Sequence, residues 1–342
     1  MRRRLLGCAA TIALLAAGVS VAAAPEGPRL AVIRYTENPD RLELLTVDSS
    51  GAGPLRLTGG GRDSGPLPFP AAPLSWRPDG TEIAFNALVG RGRDRVPKLA
   101  IFLASADGRG VRRVAGTVGG VGPVFSPDGR TVAFTRIRSR AHRTVDGKVT
   151  NSGFTGASIW ILDLLDGAQR RLTPWRNGLE YFASSFSPDG STLLATRHDY
   201  RPTRKFKLVA LNMASGGVYR FGRDGLLPVY SPDGSEIAFF RQMGALRASE
   251  LFVLDVAGGA LRRLTRTPKI DELFASWDPS GERLAYTRFP SSEAADEGLG
   301  TAVVQINADA TCQMKLLSVR GAGFHVPAWQ PGPGREAGRI SC

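Results

Sequence analysis

The sequence predicts an all-β fold: a six-bladed β-propeller of four-stranded antiparallel blades, its ring closed by pairing of the C-terminal strand with the N-terminal blade. Three observations carry this expectation. A turn motif recurs as SWRPDGTEIAF from Ser75, FSPDGRTVAFTR from Phe125, FSPDGSTLLATR from Phe186, YSPDGSEIAFFR from Tyr230 and WDPSGERLAYTR from Trp277, with a shortened WQPG from Trp329. Its prolines stand at 78, 127, 188, 232, 279 and 331, the near-constant spacing of a repeat architecture. Finally, 41 Gly and 23 Pro in 342 residues favour short elements joined by tight turns over a helical bundle.

Each unit has the same internal order. A short aromatic-containing strand enters Pro-Asp-Gly, where Pro presets φ and Gly takes the conformation other residues resist. A β-branched and aromatic strand follows, as in Val132-Ala133-Phe134-Thr135. A loop of variable length leads to a third strand, such as Ile159-Trp160-Ile161-Leu162, and a Gly-containing turn (Asp107-Gly108, Asp166-Gly167, Ser215-Gly216, Gly258-Gly259) reverses the chain into a fourth. Counting this way gives units at 81–129, 130–190, 191–234, 235–281 and 282–333, with 28–80 as the first. The strand around Ala328-Trp329 has no following partner and is expected beside residues 30–34, which would remove an exposed edge.

Ahead of the repeats, Arg2-Arg3-Arg4 and the apolar run from Leu5 to Ala24 read as a secretory signal peptide over 1–24, an uncleaved anchor being the alternative. The domain plan is therefore 1–24 signal, 28–333 propeller and 334–342 tail. Cleavage would remove three Arg and lower the net charge from +13 to +10. The expected location is periplasmic or secreted, membrane-associated if the segment is retained, and no second run is long enough to span a membrane. The mature chain keeps Cys312 and Cys342, a candidate disulfide in an oxidising compartment, with two free thiols as the alternative.

The repeated SPDG-plus-IAF pattern resembles the propeller repeats of the TolB family, over roughly residues 28–333. The resemblance implies a protein-binding platform in the bacterial envelope; related repeats also precede the hydrolase domains of some peptidases. Two departures limit it. No α/β domain precedes the repeats, and no G-x-S-x-G nucleophile elbow occurs.

Antiparallel connectivity puts the Pro-Asp-Gly and Gly-containing turns on one face and the long variable loops on the other. The long loops are basic: Arg91, Arg93, Arg95 and Lys98; Arg138, Arg140, Arg143 and Lys148; Arg201, Arg204, Lys205 and Lys207. Such a face steers acidic proteins, polyanionic glycans or anionic membranes, or simply aids solubility. The second strand of most units ends in arginine, at Arg34, Arg136, Arg197, Arg241 and Arg288, with Ala87 leaving a gap. These guanidinium groups either bind anionic ligand groups or pair with acidic residues such as Glu180 and Glu272. His198-Asp199-Tyr200, with Glu180-Tyr181 arriving from the preceding loop, is the one candidate acid–base cluster. The three histidines have no metal-ligand spacing, so neither metal nor other cofactor is expected. The recurrent turn residues Asp79, Asp128, Asp189 and Asp233 read as turn formers rather than ligands.

The function these features favour is an exported, monomeric protein-binding scaffold acting through the long-loop face, with a partner in the envelope or extracellular space. Anionic polysaccharide recognition is the alternative, a carbohydrate lyase or hydrolase ranks third, and nucleic acid is not an expected partner.

Overall fold

The computed structural model describes residues 27–36, 42–59, 66, 68, 73–91, 97–143, 149–199, 205–243, 248–289, 301–318, 322–332 and 339–342. The segment 1–24, Arg93, Arg95, Lys148, Tyr200, Arg201 and Arg204 lie outside these, as do the side chains of Arg91, Arg140 and Arg143.

The chain is all β. One four-stranded sheet has the order β24 (Ala322–Trp329), β1 (Leu30–Thr36), β2 (Glu43–Val47), β3 (Leu55–Gly59). A second contains β4 (Ser75–Trp76), β5 (Glu82–Arg91), β6 (Pro97–Ser105) and β7 (Val111–Arg113). Two more are formed by β16 (Leu226–Tyr230), β17 (Glu236–Met243), β18 (Ala248–Asp255) and β19 (Leu261–Arg263), and by β20 (Asp271–Trp277), β21 (Arg283–Phe289), β22 (Ala302–Asn307) and β23 (Gln313–Leu317). Between the second and third of these lies one eight-stranded sheet. It takes β8 (Gly120–Phe125), β9 (Thr131–Arg143), β10 (Val149–Asp163), β11 (Gln169–Arg171), β12 (Leu179–Phe186), β13 (Thr192–Asp199), β14 (Lys205–Asn212) and β15 (Val218–Asp224).

This corrects the expectation of six separate four-stranded blades in a closed ring. Among the described residues, four four-stranded antiparallel sheets stand apart in a propeller-like ring, the remaining eight strands form one sheet, and no sheet closes on itself. The cause of the merger is local. The β9–β10 hairpin is long, and Ala157 of β10 pairs in parallel with Glu180 of β12. Gly156 permits the approach, since a Cβ there would lie 3.3 Å from the Arg176 carbonyl oxygen. The terminal strand β24 lies antiparallel to β1 within its own sheet, with Leu30 opposite Trp329 and Ala31 opposite Ala328.

Much of the core lies between sheets, and one cluster lies within the eight-stranded sheet itself, from Val124 and Ala133 to Val209 and Leu211. Ala84, Ile101 and Leu103 of the second sheet pack on Phe125, Val132, Phe134 and Leu162 of the next. Leu30, Val32, Leu45 and Val47 pack on Ala285, Val303 and Leu317. Middle strands are therefore covered on both faces and read as continuous apolar runs, such as AFF in β17 and LFVL in β18, instead of the alternation of a half-exposed strand.

The turns form as their residues dictate. At Ser126–Thr131 the Gly129 amide donates to the Ser126 carbonyl at 2.8 Å, and Asp128 accepts from the Ser126 hydroxyl and the Arg130 amide. Gly129 sits at φ 67°, where a side chain is strained. Asp189 and Asp233 repeat this arrangement, and serine hydroxyl bonds hold these carboxyls below the usual range.

A second device joins neighbouring sheets. The inner strands β8, β12, β16 and β20 each carry a register shift, and Leu227, Phe274 and Val326 adopt positive φ (52°, 61° and 56°) at the bulges of β16, β20 and β24. Four of the freed amides are satisfied by a side chain on the second strand of the preceding unit, across a sheet boundary except at Ala183, whose partner lies in the same eight-stranded sheet. Ala183, Leu227 and Val326 donate to Oγ1 of Thr135, Thr196 and Thr287 at 2.9, 2.9 and 3.0 Å, and Gly122 donates to Asn86 Oδ1 at 2.8 Å. Where the equivalent residue is apolar Ile33, the next inner strand enters through Pro73, which has no amide hydrogen to satisfy.

Cys312 and Cys342 are joined in a disulfide, with Cα atoms 5.4 Å apart. Beside it, Asn307 exchanges two hydrogen bonds of 3.0 Å with the backbone of Ile340, so the end of the chain is docked on the β22–β23 turn.

Candidate functional site

At the Pro-Asp-Gly end, the six inner strands surround a cavity of about 660 Å³. Its wall contains the aromatic residue that ends each of them, Trp76, Phe125, Phe186, Tyr230, Trp277 and Trp329, with Phe274 as a second aromatic from β20. The six strand-ending aromatics are the residues that precede each recurrent turn. The positive-φ residues Leu227, Phe274 and Val326 line it as well, so the bulges shape its interior.

The wall is cross-linked by hydrogen bonds between successive inner strands. Ser75, Ser185 and Ser276 accept at Oγ from the amides of Phe125, Tyr230 and Trp329, at 3.0, 3.3 and 3.0 Å. Trp76 Nε1 donates to the Ala328 carbonyl at 2.8 Å, and Trp277 Nε1 to the Val229 carbonyl at 3.3 Å. Serine thus alternates with Val124, Val229 or Ala328 around the ring, and each serine ties its strand to the next.

The cavity is nearly free of charge. Among the described residues its wall contains no Lys or Arg, and its one ionisable carboxyl, Asp278, is fully buried with its partner Arg283, Nε to Oδ2 3.5 Å. Burial raises the Asp278 pKa and lowers that of Arg283. The Ser184 hydroxyl is buried in the wall with no hydrogen-bond partner. The size is that of a small-ligand or peptide-segment pocket, and the lining suits uncharged, apolar and aromatic groups.

The sequence-predicted residues lie elsewhere, each engaged locally. Arg34 pairs with Glu43, Nε to Oε2 2.7 Å. Arg136 lies 4.3 Å from the Trp160 ring centre and donates to Gln169 Oε1 and the Gly116 carbonyl. Arg197 pairs with Asp199 at 2.9 Å. Arg241 donates to the Asp224 carbonyl at 3.3 Å and covers the Phe252 ring. Arg288 meets Glu272 at 3.0 Å, and burial raises the Glu272 pKa. Glu180 faces His198: His198 Nδ1 lies 3.1 Å from Glu180 Oε2, and its ring stacks on Phe206. Tyr181 is buried in the core of the eight-stranded sheet. Among the described residues, no three or more His, Cys, Asp or Glu could hold a metal ion, and no helix is long and apolar enough to cross a membrane.

The cavity wall escaped the sequence reading, although its signal was present in the aromatic before every Pro-Asp-Gly turn. An aromatic at fixed register reads equally well as core, and only the arrangement of inner strands shows that these residues share one space.

No family model matches the sequence, and no curated protein matches it. Solved structures do. TolB from Acinetobacter baumannii superposes with a TM-score of 0.68 at 22% identity, over 89% of this chain and 67% of that one. A TolB candidate from Agrobacterium tumefaciens gives 0.58 at 15% identity, over 89% and 99% of the two chains. Hydrazine synthase from Kuenenia stuttgartiensis gives 0.61 at 10% identity, over 90% of this chain and 47% of that one. These identities carry a likeness of fold alone. The chain has a distant TolB-like propeller fold, with the sheet arrangement described above in place of the expected six blades.

Proposed function

We propose that this protein is an exported, non-catalytic binding scaffold that takes an uncharged, apolar or aromatic stretch of a partner protein into the cavity at the Pro-Asp-Gly end. One observation carries the reading: a charge-poor, aromatic-walled space of about 660 Å³ built by every inner strand. Its walls are held by strand-to-strand hydrogen bonds, so the site is formed before a ligand arrives and little ordering opposes binding. The signal-like segment 1–24 supports a periplasmic or secreted setting. The anionic-glycan reading draws less support, because Arg34, Arg136, Arg197, Arg241 and Arg288 already have partners.

The test is to fill the cavity. Ser184→Trp should lower capture of the partner at least about tenfold while the thermal unfolding midpoint stays within a few degrees of the parent. Ser184→Phe serves as the smaller plug if the tryptophan perturbs folding. Undiminished capture by a well-folded plugged variant would remove the cavity from the account.

A further inference from the structure

The outermost strands carry a basic residue at one register position throughout. Arg56, Arg113, Arg171, Arg220, Arg263 and Lys315 stand opposite Leu45, Phe102, Trp160, Val209, Phe252 and Val304 in β3, β7, β11, β15, β19 and β23. Lys and Arg make up only 44 of 342 residues, so composition does not place a cation at the same register in all six outer strands. The neighbouring register position is mixed: Arg112, Arg170 and Arg262 in three strands, but Leu55, Tyr219 and Met314 in the others.

Two of the six cations are neutralised locally. Arg56 lies 3.7 Å from Glu43, and Arg263 pairs with the buried Glu250. The other four, Arg113, Arg171, Arg220 and Lys315, are exposed and have no ion pair among the described residues. They belong to three different sheets, spaced around the outside of the molecule. A flat surface can touch only one sector of such a rim. A flexible, extended chain of anionic groups can follow several sectors and release counterions at each, as polyanions do on spaced cations.

We propose that this rim is a second interaction surface, distinct from the cavity, and that it takes a flexible polyanionic polysaccharide. The cations position the polymer through its repeated charge, not through recognition of one sugar. The surface is separate from the arginines that end the second strands, whose guanidinium groups are engaged within the fold.

The experiment compares two purified full-chain variants of equal charge, with heparin as the polyanion probe. The rim variant is Arg113→Gln, Arg171→Gln, Arg220→Gln and Lys315→Gln. The control is Arg109→Gln, Arg176→Gln, Arg266→Gln and Lys269→Gln, four exposed cations away from this register. The rim variant should bind heparin at least about tenfold more weakly at low salt and with a shallower salt dependence, and the control within about twofold of the parent. Equal weakening of both variants would reduce the effect to net charge and overturn the proposal. Unchanged binding by the rim variant would overturn it as well, and self-association of that variant would assign the cations to guarding exposed strand edges. Vesicles containing phosphatidylglycerol form the planar arm; tighter, rim-dependent binding to them than to heparin would replace the polymer with a membrane. If the glutamine variant misfolds, conservative Arg→Lys replacements at the three arginines should keep heparin binding within about threefold. Failure of these tests leaves the cavity reading untouched, because the plugging variant alters no charge.

Discussion

The turn of the β4–β7 sheet and the turn of the β20–β23 sheet are the same structure with the charges exchanged. In the first, the Arg77 amide donates to the Glu82 carbonyl at 2.8 Å and the side chains pair at 2.9 Å. In the second, the Asp278 amide donates to the Arg283 carbonyl at 3.0 Å, and the acid now precedes the base. Elsewhere the same two positions hold Ser126 and Thr131, or Ser187 and Thr192, so the backbone needs no ion pair.

What differs is the surroundings. The side chains of Arg77 and Glu82 are each 22% exposed, whereas those of Arg283 and Asp278 are 4% and 0% exposed. Arg283 lies over the Trp329 ring and donates to the buried Gln305, but its Nε and Nη2 have no hydrogen-bond partner. One local geometry is thus a mild surface contact in one sheet and a pair of committed buried charges beside β24 in another. Contact distance alone does not report what an ion pair contributes; desolvation does.

The largest expected effect comes from breaking the buried pair on one side. Asp278→Ala strands the Arg283 charge and should destabilise the protein by about 3–5 kcal/mol, read by denaturant unfolding. The double change Asp278→Ser with Arg283→Thr, which copies the Ser126 and Thr131 turn, should restore most of that loss. A double variant as unstable as the single one would mean that the charges themselves support the fold.

Acid should find the same side of the molecule. His325 of β24 is enclosed near Tyr35 and Phe289, and burial lowers its pKa to about 4 from the ordinary 6.5. The unfolded chain therefore binds this proton first. Stability from this group is complete above pH 6.5, falls as pH drops toward 4, and levels off below, a loss of about 3 kcal/mol. His325→Phe should flatten that part of the stability–pH curve, and an unchanged curve would assign the acid sensitivity to other groups. The smallest effect is expected at the exposed counterpart, where Glu82→Gln should cost less than about 1 kcal/mol.

The sequence made the repeat legible because its turns are chemically narrow: Pro, Asp and Gly have few substitutes at those positions. The same logic made Asp128 and Asp189 readable as turn formers and placed the strand ending at Trp329 beside Leu30. The eight-stranded sheet was not legible. It depends on one approach between Ala157 and Glu180, made where Gly156 leaves room, and no periodicity in the chain announces it. Partners of the recurrent arginines were hidden for a related reason. Trp160 beneath Arg136 comes from the neighbouring strand β10, and Asp224 beside Arg241 from the edge strand β15 of another sheet, placements that the turns do not dictate.

The central claim, that partners enter at the Pro-Asp-Gly end, is tested most directly by site-specific photocrosslinking. A photoreactive residue is placed in turn at Ser184 in the cavity wall, at Lys98 toward the long loops and at Tyr219 on the outer strand β15. One reproducible protein adduct is expected from position 184, competed by excess unmodified protein, and none from 98 or 219. An adduct formed from position 98 and not from 184 would contradict this claim and return the binding surface to the long-loop face.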